Sequence, residues 1–492
     1  MTRIAIDPSR PVGRLDRKVF GGFVEHLGRC IYGGLYEEGS PLSDDRGYRK
    51  DVLGLLRDLR MGVLRWPGGN FVSNYHWQDG IGPKDARPRR PELAWGGEES
   101  NRFGTDEFLG YCAELGTDPY ICLNMGTGTL SEALAWLEYC NGDRNTYWAN
   151  ARRANGHDEP RKVIYWGLGN EMYGEWQVGA LSAEEYVREA TRWARALKFL
   201  DPDIKLVSCG KTGWNEWDRI VIEGMAHLVD YHSIHIYTGS DDYWTNVLQP
   251  HQAERAIRTA QALISRTAYR HKIENPPKLA YDEWNVWYRK MTVDLAERYS
   301  FDDALAVGTF LNIFVRNAGW VRMANLAQMV NAIAPIVTTE TAAAVQPVYY
   351  PVLLHSQAAL HDAVDVHVYG GTLEPSFPGN PGRWPYRVAD LGPFTAVDAA
   401  ATVSANKDRL AVTLVNRHPD EPQTAELLLR DFSFAGPATI TIVTEGGPEE
   451  PRVLPDVATV HLEHGTEAPS GKTTALRLPA RSFTVVEASI SQ

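Results

Sequence analysis

The segments Trp166-Gly167-Leu168-Gly169-Asn170-Glu171 and Tyr281-Asp282-Glu283-Trp284-Asn285 each place an acidic residue at the end of an apolar run. Strands of a parallel sheet are buried on both faces and read as continuous apolar runs, so both segments are predicted to be strand ends. A carboxylate at such an end lies at the rim of a core. Two carboxylates placed at strand ends in this way predict chemistry that uses a pair of carboxyl groups, which cleavage of a glycosidic bond requires.

Strand-like and helix-like segments alternate around these two stretches, from about residue 16 to residue 345. Eight runs are predicted to be strands: 20–26, 63–66, 119–125, 163–170, 204–209, 231–237, 279–284 and 322–329. Helical patterns lie between them at 46–60, 105–115, 130–140, 183–200, 217–228, 252–271 and 303–318, and an eighth helix is predicted to begin near Pro347. This alternation predicts an α/β fold, a closed (β/α)8 TIM barrel whose chemistry takes place at the carboxyl ends of the strands.

The pattern changes after about residue 350 to short runs of alternating apolar and polar residues, separated by Pro, Gly and Asp turns. Such runs, for example 409–416 and 483–488, are typical of antiparallel strands. The alternating segment 2–6 could pair with them. We therefore expect two domains: a catalytic barrel over residues 16–345, and a C-terminal antiparallel β-sandwich of the jelly-roll type formed by 1–15 and 346–492.

The composition narrows the range of partners and compartments. The net charge is -12, so a neutral ligand is expected rather than nucleic acid or a membrane surface. The five cysteines show no ligand spacing and are expected to be reduced core thiols. Neither a metal site nor a nucleotide-binding glycine loop is present, so no cofactor is predicted. The first residues lack the apolar stretch of a secretory signal, and no segment reaches membrane-spanning length, which predicts a cytoplasmic protein.

The two acidic segments each allow a structural alternative. Asn170 is placed to bind a sugar hydroxyl next to Glu171, but an isolated Asn-Glu pair is also typical of a helix cap or a solvated loop. Asp282 and Glu283 are adjacent, and strand alternation sends them to opposite faces, so only one of them is expected to point into a site. The alternation of side chains along the strand does not decide which of the two acids points into a site. The alternative to a site is a strand end held by salt bridges.

Further polar residues lie on the neighbouring predicted strands. His232 and His235 are three apart and face opposite ways, so they are not expected to form a metal pair. His235 and Tyr237 share a face, where a tyrosine hydroxyl can donate to an ionised carboxylate; a core histidine is the alternative. Arg65 could pair with a catalytic carboxylate, or neutralise a buried acid for stability alone.

Four segments occur in the order Gly22–His26, Arg65–Asn70, Gly167–Glu171 and Asp282–Tyr288. Together they resemble the α-L-arabinofuranosidases of glycoside hydrolase family 51. The resemblance implies a retaining, exo-acting enzyme that removes terminal α-L-arabinofuranosyl residues from arabino- and arabinoxylo-oligosaccharides through a covalent glycosyl-enzyme. It also implies a homo-oligomer, since family members of the intracellular kind are often hexamers.

The same resemblance implies roles for individual residues. Glu171 would be the acid/base and Glu283 the nucleophile, and the charge of Glu283 is expected to raise the pKa of Glu171 so that Glu171 starts protonated. Arg65 and Tyr237 would position the nucleophile. The residues implied to bind the sugar or to line the mouth are Glu25, Asn70, Asn170, His235, Tyr237, Gln346, Trp95 and Trp287.

Two other functions stay open at this point. One is a related retaining barrel glycosidase, either a β-xylosidase or an endoglucanase. The other is a non-catalytic carbohydrate-binding protein that kept the scaffold. The presence of both glutamates together with Arg65 and Tyr237 argues against the second.

Overall fold

The computed structural model describes residues 2–288, 295–377, 387–446, 454 and 456–492. Within them, eight strands close into a barrel. In chain order, the first to eighth barrel strands are Gly21–Phe23, Val63–Trp66, Asp118–Cys122, Tyr165–Leu168, Lys205–Ser208, Tyr231–Thr238, Lys278–Val286 and Val321–Ala327. Each strand pairs in parallel with the next, and the eighth closes on the first. The predicted TIM barrel is confirmed.

Ten α-helices are found in the described residues: Lys50–Asp58, Thr105–Leu115, Leu130–Asn141, Tyr147–Ala154, Ala183–Leu200, Glu216–Met225, Tyr243–Leu248, His251–His271, Phe301–Arg316 and Tyr349–Ala358. Two of them, Tyr147–Ala154 and Tyr243–Leu248, were not predicted, because segments this short show little helical periodicity. The last helix contributes Tyr349 and Val352 to the barrel core. Its Ala358 packs in a second cluster that includes Val415 and Phe483 of the sheet, so this helix lies between the two domains.

The start of the helix Ala183–Leu200 is determined by its local sequence. The hydroxyl of Ser182 accepts from the backbone N–H of Glu185, whose carboxylate accepts from the N–H of Ser182, and this capping box starts the helix. Its buried face, which includes Tyr186 and Trp193, packs on the barrel. The cap ends the loop that follows the fourth strand, and this loop carries Glu171.

The second domain is a ten-stranded sheet. Its strands are Thr2–Arg14, Asp362–Tyr369, Val397–Val403, Arg409–Asn416, Gln423–Leu429, Ser433–Phe434, Ala438–Glu445, Val460–Glu467, Thr473–Leu478 and Ser482–Ser491. The first strand joins this sheet, as the alternation of residues 2–6 predicted. It pairs antiparallel with Asp362–Tyr369 but parallel with Gln423–Leu429, which is the one parallel pairing among the described strands of this sheet. Apolar residues of the sheet, among them Ile4 and Leu427, form a core separate from that of the barrel.

Three two-stranded ribbons complete the described strands: Arg90–Pro91 with Glu98–Glu99, Ile336–Thr338 with Ala343–Val345, and Thr372–Leu373 with Phe394–Thr395. The first ribbon presents Trp95 at the barrel mouth. All five cysteines are buried and unpaired, as expected. Among the described helices, none combines the length and the apolar character needed to cross a membrane.

Candidate active site

A cavity of about 800 Å³ opens at the carboxyl ends of the barrel strands. Most of the residues singled out from the sequence line it: Glu25, Asn70, Trp95, Glu171, His235, Tyr237, Glu283 and Trp287. Its wall also includes residues to which the sequence gave no individual role, among them Leu27, Gly69, Tyr173, Trp176, Lys211, Trp214 and Gln328.

The two predicted carboxylates meet in this cavity. One oxygen of Glu171, one oxygen of Glu283 and one ring nitrogen of His235 all lie within 4.8 Å of one another. Retaining glycosidases hold their two carboxyl groups about 5 Å apart, whereas inverting enzymes separate them by about 6.5–9.5 Å to admit a water. The spacing of this pair therefore suits direct attack on the sugar by one carboxylate.

Both acids of the seventh strand point toward the barrel interior. Glu283 lines the cavity, while Asp282 accepts from the hydroxyl of Tyr120 at 2.8 Å and faces Nε2 of His235 at 3.2 Å. The expectation that the two acids lie on opposite faces is wrong. The pairing register with the sixth strand shifts between Ala280 and Glu283, and this irregularity breaks the two-residue alternation of the strand.

The Glu283 carboxylate is held from both sides. Arg65 donates to Oε1 at 2.9 Å, the hydroxyl of Tyr237 donates to Oε2 at 2.9 Å, and Nδ1 of His235 lies 3.4 Å from Oε2. Burial raises the pKa of Glu283, and the charges of His235 and Arg65 oppose that rise. Arg65 is itself 1% exposed and also donates to Oδ1 of Asn170 at 2.6 Å, so it ties the ends of the fourth and seventh strands together.

Glu171 is surrounded by hydrogen-bond donors. Its Oε1 accepts from the hydroxyl of Tyr173 at 3.0 Å and lies 2.9 Å from Nδ1 of His235, while Oε2 accepts from the indole N–H of Trp176 at 3.1 Å. Its backbone is left-handed, with φ 42°, which is uncommon for a residue other than glycine. Burial alone would raise the pKa of Glu171, but His235 and the two other donors hold it below its ordinary value.

The charge of Glu283 was expected to raise the pKa of Glu171, whereas in the structure the contacts with His235, Tyr173 and Trp176 lower it. Burial lowers the pKa of His235, but the charge of Glu283 and the contacts with Asp282 and Glu171 outweigh it and raise the pKa to about 10. The imidazole lies between three carboxylates, and its raised pKa makes it a second group, beside the two glutamates, that can hold a proton in this cluster.

Glu25 forms the opposite wall. Its Oε1 accepts from the backbone N–H of Phe71 and the indole of Trp95, both at 3.0 Å, and its Oε2 accepts from Gln328 at 2.9 Å. Burial is the main cause that raises the pKa of Glu25 to about 7, with a further contribution from the charge of Glu283.

Gly69 keeps the floor of the cavity open. A Cβ atom there would lie 3.0 Å from Oε1 of Glu283, 3.3 Å from Oε2 of Glu25 and 3.4 Å from Nδ2 of Asn170. That nitrogen has no hydrogen-bond partner among the residues that the structure describes. The three side chains thus converge on a space that no side chain fills, with donors and acceptors on its walls.

Like Arg65 and Asn170, Gln346 is a predicted site residue that does not itself line the cavity. It is fully buried, and its amide donates to the carbonyls of Glu297 and Ala334 and accepts from the N–H of Tyr299. Because its amide is committed to the main chain, its geometry gives no support to a role in sugar binding. Its role in sugar binding stays a prediction, and in this structure its amide supports the loops around residues 297 and 334.

Three supporting side chains were not found from the sequence. Tyr173 and Trp176 contact Glu171 from its own loop, and Gln328 supports Glu25 from the end of the eighth strand. Loop residues follow no period, and nothing in their local sequence indicates which way they turn.

Known proteins match both domains. Residues 55–255 match the family model described as the α-L-arabinofuranosidase 1 domain, and residues 282–482 match that of the α-L-arabinofuranosidase C-terminal domain. The chain is 43% identical to α-L-arabinofuranosidase C of Emericella nidulans over 467 residues, with 90% of each chain covered. It is 36% identical to intracellular exo-α-(1→5)-L-arabinofuranosidase 1 of Bacillus subtilis, with 87% of each covered.

A solved structure matches over the same length. The fold superimposes on the thermostable GH51 α-L-arabinofuranosidase from Thermotoga petrophila with a TM-score of 0.88 and 41% identity, covering 99% of this chain and all of that one. Identity at this level across both domains reflects common descent. The chain therefore belongs to the α-L-arabinofuranosidases of glycoside hydrolase family 51, and is a glycoside hydrolase.

Proposed function

We propose that this α-L-arabinofuranosidase releases terminal arabinofuranosyl residues by double displacement, with Glu283 as nucleophile and Glu171 as acid/base. The observation that carries the proposal is the convergence of these two carboxylates and His235 within 4.8 Å at one end of the barrel. Nδ1 of His235 lies between the two carboxylates and supplies the proton that the first step needs, so the site requires no third acidic side chain for this purpose.

In the first step, an oxygen of Glu283 attacks the anomeric carbon and the glycosidic bond breaks. The bonding electron pair stays on the leaving oxygen, which takes a proton from Glu171. That proton comes from Nδ1 of His235 across the 2.9 Å contact with Glu171. The guanidinium of Arg65 and the hydroxyl of Tyr237 hold the attacking carboxylate in place.

In the second step, a water attacks the anomeric carbon of the glycosyl ester. Glu171, now ionised, accepts the proton of this water, and the carboxylate of Glu283 leaves. As the ester forms in the first step, Glu283 loses its negative charge, which lowers the proton affinity of His235 while its proton passes through Glu171 to the leaving oxygen. When Glu283 leaves in the second step its charge returns, and the proton that Glu171 took from the water passes back to His235. Negative charge and the proton thus move among the side chains of Glu171, Glu283 and His235 during the cycle.

The sugar is proposed to lie above Gly69. Glu25, Asn70 and the free amide N–H of Asn170 would bind its hydroxyls, with Trp95 and Trp287 at the mouth. A net charge of -12 favours neutral substrates, here arabino- and arabinoxylo-oligosaccharides. The name of the Bacillus subtilis relative supports exo-action on α-(1→5) linkages.

The roles of the two acids are tested with alanine variants. Glu171→Ala should lose about 10²- to 10⁴-fold on oligosaccharides, keep activity on an aryl arabinofuranoside with a good leaving group, and be rescued by azide. Glu283→Ala should lose turnover on every substrate. The exposed Glu175 lies on the same loop as Glu171, and Glu175→Ala is the matched control, expected to behave as wild type. Equal losses in both variants without azide rescue would exclude these roles.

A panel of nitrophenyl glycosides separates this function from its alternatives. Hydrolysis of the α-L-arabinofuranoside at a rate at least about 100-fold above that of the β-D-xyloside is expected, since the relatives of this chain are α-L-arabinofuranosidases. A preference for the xyloside or for β-glucans would favour the related glycosidases. Tight arabinose binding without hydrolysis would favour a carbohydrate-binding protein.

A cytoplasmic homo-hexamer is proposed as the working form. The five buried, unpaired thiols suit a reducing compartment, and the name of the Bacillus subtilis relative states that it is intracellular. Light scattering on the purified protein tests the assembly, and fractionation of the producing cells tests the location. A monomeric mass or recovery from the culture medium would overturn the respective proposal.

A further inference from the structure

Glu99 is the buried residue of the loop that carries Trp95. This loop, residues 90–99, is called the Trp95 loop below; it forms the first two-stranded ribbon, and its other residues are exposed or half-buried. Inside it, the carboxylate of Glu92 accepts from the backbone N–H groups of Ala94 and Trp95, so the turn is a compact unit. The place of this unit against the barrel depends on the contacts of Glu99, which is 6% exposed.

Both oxygens of Glu99 accept hydrogen bonds. Oε1 accepts from the hydroxyl of Tyr32 and the backbone N–H of Asn101, and Oε2 faces Nδ1 of His26 at 2.7 Å. Nε2 of His26 accepts from the indole N–H of Trp66 at 3.0 Å. An indole nitrogen is a donor only, so Nε2 carries no proton and the ring donates from Nδ1 to Glu99. Burial would raise the pKa of Glu99, but these donors hold it below its ordinary value.

Other contacts between the Trp95 loop and the barrel lie at the surface. Arg90 pairs with Asp79 at 2.7 Å, with 56% of the Arg90 side chain exposed, and the amide of Asn74 donates to a carbonyl of the loop at 3.2 Å. Water competes for such bonds, so exposed ion pairs contribute little. The contact between Glu99 and His26 is shielded, with side chains 7% and 2% exposed.

The Glu99–His26 pair lies beside Glu25, at the wall of the proposed sugar site. Oε1 of Glu25 accepts from the indole N–H of Trp95 and from the backbone N–H of Phe71, both at 3.0 Å. His26 follows Glu25 in the chain and stacks on the ring of Phe71, with centroids 4.5 Å apart and planes at 17°. One donor to Glu25 is thus carried by the loop that Glu99 holds, and the other by the residue on which His26 stacks.

We propose that Glu99 and His26 are positioning residues that hold the Trp95 loop over the sugar site, with the indole of Trp95 against Glu25. The inference rests on the proposed place of the sugar beside these two side chains. Neither Glu99 nor His26 lines the cavity, so both act through Trp95. Loss of the pair should weaken the binding of substrate and of transition state alike, because the two carboxylates proposed to react keep their own contacts.

The kinetic test is Glu99→Gln, measured on an aryl arabinofuranoside. A glutamine keeps the shape, but either orientation of its amide sets an N–H group against a donor: Nδ1–H of His26 in one, the backbone N–H of Asn101 in the other. KM should rise about five- to thirtyfold, the cost of a buried donor without a partner, while kcat stays within about threefold. Glu98 is the exposed neighbour of Glu99 on the same strand, so Glu98→Gln is the matched control, with KM within about twofold of wild type.

A double variant separates positioning from general damage. Trp95→Ala removes the side chain that the pair is proposed to place, and should itself raise KM. Adding Glu99→Gln to it should change KM by less than about twofold, because the loop then carries no indole to position. Losses that multiply in the double variant would overturn the inference. So would a fall in kcat at unchanged KM in Glu99→Gln, which is the sign of a smaller amount of folded enzyme.

Limited proteolysis reports the loop without catalysis. Arg89 precedes the Trp95 loop and its side chain is 64% exposed, so trypsin can cut after it once the loop leaves the barrel. This cut, identified by fragment mass, should be at least about tenfold faster in Glu99→Gln than in wild type, because proteolysis follows the population of the open form. Equal rates would refute the proposal that Glu99 holds the loop.

A milder variant serves where Glu99→Gln does not fold. Tyr32→Phe removes one donor to Glu99 and should raise KM about two- to fivefold at unchanged kcat; an unchanged KM would overturn the inference. If the wild type does not hydrolyse the aryl arabinofuranoside, the proposed function fails. If it does and neither variant changes KM, only the present inference fails.

Discussion

Replacing Glu25 by glutamine should change how the stability of the protein varies with pH. Glu25 is 2% exposed, and burial chiefly raises its pKa from 4.5 to about 7. A difference of about 2.5 pH units, at about 1.36 kcal/mol per unit, corresponds to about 3 kcal/mol. This is the free energy by which the native state disfavours the ionised form of Glu25.

The sign follows from proton binding. Between pH 4.5 and about 7, the unfolded chain has released this proton while the native chain retains it. Unfolding therefore releases a proton, and the free energy of unfolding falls as the pH rises through this window. Below it both states are protonated and above it both are ionised, so the contribution is constant. A glutamine does not ionise, and the amide of Gln328 can turn over to accept its N–H.

The assay is urea unfolding of wild type and Glu25→Gln at about pH 4, 5, 6, 7 and 8, followed by tryptophan fluorescence. The stability of the variant relative to wild type should rise by about 3 kcal/mol across this series, with the rise complete just above pH 7. The exposed Glu175 gives a matched control, and Glu175→Gln should show a flat difference. A flat difference for Glu25→Gln, or a fall with rising pH, would refute the assigned shift of its pKa.

Two further changes test the packing around the nucleophile. Gly69→Ala would place a methyl group 3.0 Å from Oε1 of Glu283, in the space proposed for the sugar. The kcat/KM on an aryl arabinofuranoside should fall at least about 100-fold, with little change in the urea midpoint. A loss under about threefold would show that the sugar lies elsewhere. Arg65→Met would leave Asp282 and Glu283 buried without their guanidinium partner, and the free energy of unfolding at neutral pH should fall by about 3–5 kcal/mol in urea titrations. An unchanged midpoint would mean that His235 alone compensates the two acids.

Much of the fold could be predicted from local patterns. The helices Thr105–Leu115 and Ala183–Leu200 have the bounds that periodicity and a following glycine or a preceding capping box indicate. The end of the barrel was harder to place. Tyr349–Ala358 packs against both the barrel and the sheet, and its sequence does not state which core it joins.

The site could be predicted as a set of residues but not as an arrangement. Strand ends and family resemblance identified Glu171, Glu283 and Arg65, and the structure brings all three together. The same resemblance named Gln346, whose amide is taken up by main-chain groups instead. Trp176 was not assigned to Glu171, because a loop side chain five residues away can turn in many directions.

The sequence by itself determined the barrel, the sheet domain and the strand ends that bear the acids, since apolar periodicity and turn residues act over a few neighbouring positions. The tertiary structure alone decided that Asp282 and Glu283 both face inward, through a shift of register between strands. It also decided that the pKa of His235 is raised and the pKa of Glu171 is lowered. Proton affinity depends on burial and on charges a few ångströms away, and these neighbours come from strands that are distant in the chain.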